Sequence, residues 1–300
     1  MLLFAFQFSF SQLKGVVKDS VSGQPIPYVN IWVENENIGT TSELDGTFTI
    51  NTTSDKVLVF SAVGYQRKKA RVADNQGILL SLEVNHLKDV LVQKRLGKEQ
   101  IEINTFKSKE VNSYHSADNK PTIIVTHIKN SSIIEEHPFI QKITFLSNSQ
   151  LATAKIKLRI YDVAPDGGPG ANYNDETIIV SLKKGKRKNT IDVSDQNIII
   201  PKQGLFIGFE WIIIEENKYT FNYTIDQKGN KRIGDLINKT SKIYSDGQDY
   251  QPYIGLLKSE ESLRWFYTGG KWHKLLNNIE NKGHLVFSKG SLAIQLTLTN

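Results

Sequence analysis

Cysteine is absent from the 300 residues, which excludes disulfides, thiolate metal ligands, a cysteine nucleophile and an acylated-cysteine lipoprotein anchor. Stability must then come from packed cores alone. No stretch reaches the roughly 20 consecutive apolar residues that a membrane-spanning helix requires. Positive charge is in slight excess, a net +6, but Lys and Arg are scattered rather than gathered into a field that holds a polyanion. Nucleic acid is therefore not expected as a partner. The usual catalytic signatures are missing too. His86, His115, His127, His137, His273 and His284 stand apart, with no His-Glu-x-x-His or other paired spacing for zinc. Neither a Gly-x-Ser-x-Gly elbow nor a Gly-rich phosphate loop occurs. No cofactor is expected, and no enzyme. Paired carboxylates are the open exception, because 31 acids are present and sequence does not show which meet in space.

What is present is the composition of an ordinary folded chain, 39% hydrophobic and 23% charged, well away from that of a disordered tail. The length suits one small and one larger domain, each with its own core. Residues 1–11 are apolar and end in Ser9-Phe10-Ser11, small residues at the positions a signal peptidase reads. We read a signal peptide, truncated because no Lys or Arg precedes the apolar run, with the mature chain beginning at Gln12. A Phe-rich first strand is the alternative reading.

From Leu13 onward, short runs of alternating apolar residues are separated by turn residues at nearly even spacing, the pattern of a β-sandwich. Strands are expected near 13–19, 27–34, 38–42, 46–51, 57–62, 66–72 and 77–83. Val29, Ile31 and Val33 share one face by the two-residue period, leaving Asn30 and Trp32 on the other. Ser22-Gly23-Gln24-Pro25 and Leu44-Asp45-Gly46 supply turn chemistry. The ordered signals Gly15-x-Val17-x-Asp19, Gly23-x-Pro25-Ile26-x-x-Val29-x-Ile31, Gly39-Thr40-Thr41-Ser42-x-x-Asp45-Gly46-x-Phe48-x-Ile50 and Leu58-x-Phe60-Ser61-x-x-Gly64-Tyr65 together resemble the carboxypeptidase regulatory-like domain. That resemblance implies a seven-stranded sandwich of the transthyretin or starch-binding type over residues 12–84. It also implies an exported protein of the Bacteroidetes kind, in which the module is often fused ahead of the plug of a TonB-dependent outer-membrane receptor. Ser42 and Glu43 depart from the acidic or Asn residue usual in the family before Asp45-Gly46, a departure expected to matter little to the fold. A receptor barrel is not expected to follow, since too few residues remain for its strands and plug.

Residues 85–120 are polar and charged, and read as a linker or docking strand. From Pro121 the β pattern resumes in Thr122–Val125, Ile140–Phe145, Ala154–Tyr161, Ile178–Ser181, Ile198–Ile200 and Leu205–Trp211. Lys155, Lys157 and Arg159 alternate with Ile156, Leu158 and Ile160, which predicts a strand with one solvated face. The Pro-Gly loop after Tyr161 resembles those of bacterial jelly-roll sandwiches. The expected fold class is all-β, with the N-terminal sandwich joined to a larger jelly-roll-like sandwich at 121–300.

Three segments carry candidate chemistry. Asp162, Asp166, Asn172, Asn174 and Asp175 offer oxygens of the kind calcium takes, against a turn whose Asp and Asn bond their own backbone. Arg264, Trp265, Tyr267 and Trp272, around a Gly269-Gly270 turn, suit a glycan face or a protein partner, against inward packing. The cations of Lys183–Asn189 are expected in a solvated hairpin turn, with contact to an anionic surface as the functional alternative. Together these readings predict a non-catalytic exported binding or scaffolding accessory of the periplasm, outer membrane or cell surface, with a glycan or an outer-membrane protein as partner. A carbohydrate-binding module and a hydrolase built on the second domain are the alternatives.

Overall fold

The computed structural model describes residues 12–71, 76–83, 95–97, 99–111, 113–173, 177–225, 231–233, 242–259, 261–268, 270–274 and 290–300. The expected signal peptide at 1–11 lies outside them. The chain divides into two units, Met1–Asn85 and His86–Asn300, and is all-β apart from short helical turns.

In the first unit, alternation turns into burial. Strand β1 (Gln12–Asp19) buries Leu13, Gly15, Val17 and Asp19 and turns the residues between them outward, as a strand with one covered face must. It pairs with β4 (Thr47–Asn51) and β7 (Gln76–Leu80) in a three-stranded sheet. Strands β2 (Asn30–Val33), β3 (Gly39–Thr41), β5 (Val57–Ser61) and β6 (Lys68–Arg71) form a four-stranded sheet. Val17, Ile31, Phe48, Leu58, Phe60 and Leu80 meet in a single core. The seven strands fall where the alternation put them. Gly15 is required because a Cβ there would come within 2.6 Å of the Phe48 ring. The Asp19 carboxylate accepts from the Val21 and Ser22 backbone N–H groups, closing the turn before Gly23. Those bonds, led by Ser22, hold its carboxyl below the ordinary aspartate value. Ser42 matters more than its departure from the family pattern suggested. Its buried Oγ accepts from Val29 N at 2.8 Å and donates to Ile26 O at 2.9 Å, joining two backbone groups that no ladder reaches.

The second unit is one continuous hydrogen-bonded sheet of fourteen strands folded around one main core. In chain order these are β8 (Gln100–Ile103), β9 (Ser113–Ala117), β10 (Ile123–Ile128), β11 (Phe139–Val163), β12 (Pro169–Asn172), β13 (Ile178–Asp192), β14 (Leu205–Trp211), β15 (Lys218–Ile225), β16 (Lys231–Ile233), β17 (Lys242–Leu257), β18 (Arg264–Thr268), β19 (Lys271–Lys274), β20 (Ser291–Leu292) and β21 (Ile294–Thr299). A short helix α1 (Ser132–Glu136) follows β10, its first turn capped by Ser131. Residues 100–117, where a linker or docking strand was expected, supply β8 against β21 and β9 against β17.

The spine is β11, one strand of 25 residues where two shorter ones were expected. No Gly or Pro interrupts it. Its first half pairs with β21 and its second half with β14. Ile140, Ile143 and Phe145 therefore close on the same core as Ile156, Leu158 and Ile160. Ile198–Ile200 is not a strand. It holds only a bridge from Ile199 to Phe139 while Ile198 and Ile200 pack inward.

Two charge readings are corrected. The cations of Lys183–Lys188 lie within β13, not in a turn. Gly185 at φ +95° marks a register shift against β11, so the glycine that looked like a hairpin serves a bulge. Among the described residues β13 pairs with β11 alone, and a Lys-rich edge resists pairing with other chains. Lys186 Nζ donates to Val111 O at 3.0 Å and Lys188 Nζ to Phe106 O at 2.7 Å, fastening residues 106–111. The second correction concerns Lys157 and Arg159, expected on a solvated face: Lys157 is buried and Arg159 is largely covered.

Candidate functional site

The strands β11, β14, β10, β18 and β19 are neighbours, and their registers fix which side chains share the face turned away from the main core. One row reads Lys157, Glu210, Ile123, Tyr267 and Trp272, and the next Arg159, Gly208, Val125, Trp265 and Lys274. Tyr161, Phe206 and His127 make a third. The alternate residues Ile124, Leu158, Ile160, Ile207 and Phe209 face the main core. Two-residue periodicity thus gives these strands two covered faces with different chemistry.

The aromatic residues of this face form their own cluster. Ile123, Val125, Tyr161 and Phe206 are buried, and Trp265, Tyr267 and Trp272 pack half-buried against them. Trp272 meets Tyr267 at 5.2 Å and Tyr161 at 5.1 Å between ring centroids, both edge to face, a favoured aromatic geometry. Tyr161 sits on β11 and Trp272 four strands away on β19. A flat sheet with strands about 4.8 Å apart would keep them well separated. The β18–β19 hairpin therefore curls over the face. Gly168 leaves room for Trp265, since a Cβ there would fall 3.0 Å from the indole ring.

Beside the rings lies a buried charge cluster. Lys157 Nζ is 2.5 Å from Glu210 Oε1, and Arg159 Nε is 3.2 Å from Glu210 Oε2. Arg159 also donates to the Tyr161 hydroxyl at 3.0 Å and to Asn172 Oδ1 at 2.8 Å. Burial pulls the Lys157 ammonium below its usual value, with Glu210 opposing. Burial likewise raises the Tyr161 phenol, opposed by Arg159. Such a cluster fixes the position of the Arg159 head and of the Tyr161 ring beneath Trp272.

The expected ligand-binding residues divide by strand face. Trp265, Tyr267 and Trp272 come together as a shelf with half-exposed rings. Arg264 does not join them. It alternates to the opposite face, is 2% exposed, and burial lowers its guanidinium to about 10. Asp166 turns back on its own loop and accepts from Gly168 N, Asn172 is engaged by Arg159, and Asp162 stands on β11. Asn174 and Asp175 lie outside the described residues. Among the described residues, no three His, Asp or Glu side chains converge on a metal position. The sequence reading missed Arg159, Tyr161, Asn172 and Phe206 as neighbours of the shelf. Its one usable signal was the period that sets Lys157, Arg159 and Tyr161 on a single face.

A second buried acid, Asp249, accepts from Tyr253 Oη and from Gln251 Nε2. Burial raises its carboxyl above the ordinary value. Gln251 Oε1 in turn accepts from Gln150 N, so this network ties β17 to β11.

Comparison with known proteins bears on the first unit. The TonB-dependent receptor SusC of Bacteroides thetaiotaomicron is 31% identical over 80 residues, which is 27% of this chain and 8% of the receptor. The TonB-dependent receptor P26 of Formosa agariphila is 34% identical over 88 residues, 28% of this chain and 9% of that receptor. The matched segment thus spans less than a tenth of either receptor. Its seven-stranded sandwich agrees with the wider finding that residues 13–92 match the CarboxypepD_reg-like domain.

Proposed function

We propose that this chain is an exported, non-catalytic accessory of the cell envelope that binds a ligand or a partner in the periplasm, at the outer membrane or at the cell surface. The observation that carries this reading is the CarboxypepD_reg-like match at residues 13–92, shared with two TonB-dependent receptors. The matching segment supplies a rigid sandwich, and the binding work falls to the second unit. Fractionation of native cells tests the location. Recovery with periplasm, outer membrane or medium is expected; recovery with cytosol and an intact Met1 overturns it. Co-purification from outer-membrane fractions tests for a membrane-protein partner.

A second, finer reading is carbohydrate binding at the shelf. It is favoured by three half-exposed rings, Trp265, Tyr267 and Trp272, beside the Arg159 and Asn172 pair. Aromatic faces stack on sugar rings while fixed polar groups orient hydroxyls. On an array of oligosaccharides, the chain should retain a glycan that Trp265→Ala and Trp272→Ala together release without loss of the fold. Retention of no glycan sinks this reading and leaves the accessory role standing on its partner.

A further inference from the structure

Apart from the aromatic shelf, the second unit holds a cleft of about 520 Å³ at the end of β10, within the range of roughly 300 to 1,000 Å³ typical of small-molecule sites. Ile103, Ile128, Ile134, Leu257, Leu292 and Ile294, from six different elements, give it an aliphatic wall, with polar residues such as Asn104, Asn130 and Ser259 lining the rest. Two cations, Lys129 and Lys258, stand at its mouth. Lys129 is paired with Glu261 at an exposed position, and Glu135 accepts from Asn130. Lys258 has no acidic partner among the described residues.

Thr126 supplies the second, independent observation. It lines the cleft, is 2% exposed, and its Oγ1 has no hydrogen-bond partner. A buried hydroxyl without a partner is costly, and native proteins seldom keep one unless a water or ligand meets it. Arg264 stands opposite Thr126 on the neighbouring strand β18, also buried, so a further positive charge lies behind the same wall.

We propose that this cleft binds a small amphipathic carboxylate, an aliphatic body seated on the Ile and Leu walls with its acid held by Lys258 and a polar contact to the Thr126 hydroxyl. Apolar walls alone would accept any oily molecule. The cationic mouth and the positive charge behind Thr126 select the anion.

Calorimetric titration of the full chain with octanoate, octanol and octylamine tests the assignment. Octanoate should saturate one site per chain and bind more tightly than either control. Lys258→Glu, an exposed change that leaves the walls intact, should weaken octanoate by about tenfold or more. Thr126→Val, nearly the same shape, should weaken it by about fivefold while leaving thermal stability equal or higher, because the unpartnered hydroxyl is gone. Absence of saturable octanoate binding overturns the proposal, as does octylamine binding as tightly as octanoate. Equal octanoate affinity in the wild type and both variants also overturns it.

Discussion

Lys157 Nζ lies 2.5 Å from Glu210 Oε1, and solvent reaches 4% of the one side chain and 1% of the other. Taking two charges out of water costs several kcal/mol each, so a buried pair is weak evidence for stability and strong evidence for mutual dependence. Glu210→Ala leaves Lys157 and Arg159 facing each other without the acid, and should destabilise the second unit by about 3–5 kcal/mol. The double change Lys157→Met with Glu210→Leu should recover most of that loss, because Arg159 keeps Tyr161 and Asn172 as acceptors. Urea unfolding followed by tryptophan fluorescence reads this well, since Trp211, Trp265 and Trp272 all lie in the second unit. A double variant as unstable as Glu210→Ala would show that the charges support the fold in some other way.

His115 gives the second unit an acid limit. Its ring is partly covered, packs edge to face on Trp211 at 5.2 Å, and holds its Nε2 out of solvent without a partner. Burial first, with the Arg264 charge adding, lowers its value from 6.5 to about 4, and Asp118 opposes. Between pH 6.5 and about 4 the unfolded chain binds a proton that the folded chain refuses. Stability therefore rises with pH across that window and is lost as pH falls through it. Asp249, raised by burial, titrates with the opposite sign, so the useful quantity is a difference. His115→Phe keeps the ring and should reduce the loss of stability between pH 7 and pH 4.5 by about 2–3 kcal/mol. Parallel pH profiles for the two proteins would contradict a neutral buried His115.

The first unit was legible because its signals are local. The Gly23-to-Pro25 turn and Asp45-Gly46 act through neighbours a few residues away, and strand alternation assigns the faces. The second unit was less legible because its decisive contacts are distant. Alternation separated Lys157 and Arg159 from Ile156 and Leu158, but it does not say what covers a face. Glu210, 53 residues from Lys157, and the curled β18–β19 hairpin cover this one. A glycine among cations looks the same in a turn and in a bulge, which is why Gly185 misled. Arg264 adjoins Trp265 in sequence, but the strand period places the two on opposite faces.

Ser42 is the test of how much the first unit relies on one hydroxyl. Ser42→Ala leaves Val29 N–H and Ile26 C=O buried without a partner, at an expected cost of about 2–3 kcal/mol. Hydrogen exchange read by mass spectrometry should show the segment 26–42 losing protection while the second unit is unchanged. Unaltered protection of the Val29 amide would mean that another group, such as a water, takes over from the hydroxyl.

Gly208 sets the floor of the aromatic shelf. It lies between Arg159 on β11 and Val125 on β10, and a Cβ built on it would come 1.9 Å from Ile124 O and 2.5 Å from Val125 Cα. Both are backbone atoms, so no rotamer change relieves the clash. Gly208→Ala must separate β10 from β14 or unfold them, at about 3 kcal/mol or more. Gly77 is the control, since a Cβ there meets only Val16 Cγ1 at 3.9 Å; Gly77→Ala should stay within about 0.5 kcal/mol of wild type. If Gly208→Ala folds, forced separation of β10 from β14 also moves Trp265 and Tyr267 on β18 away from Tyr161 on β11. A ligand held by the shelf would then be released even though every aromatic side chain remains. Full stability together with full binding in Gly208→Ala would show that the two strands approach each other less closely than this geometry requires.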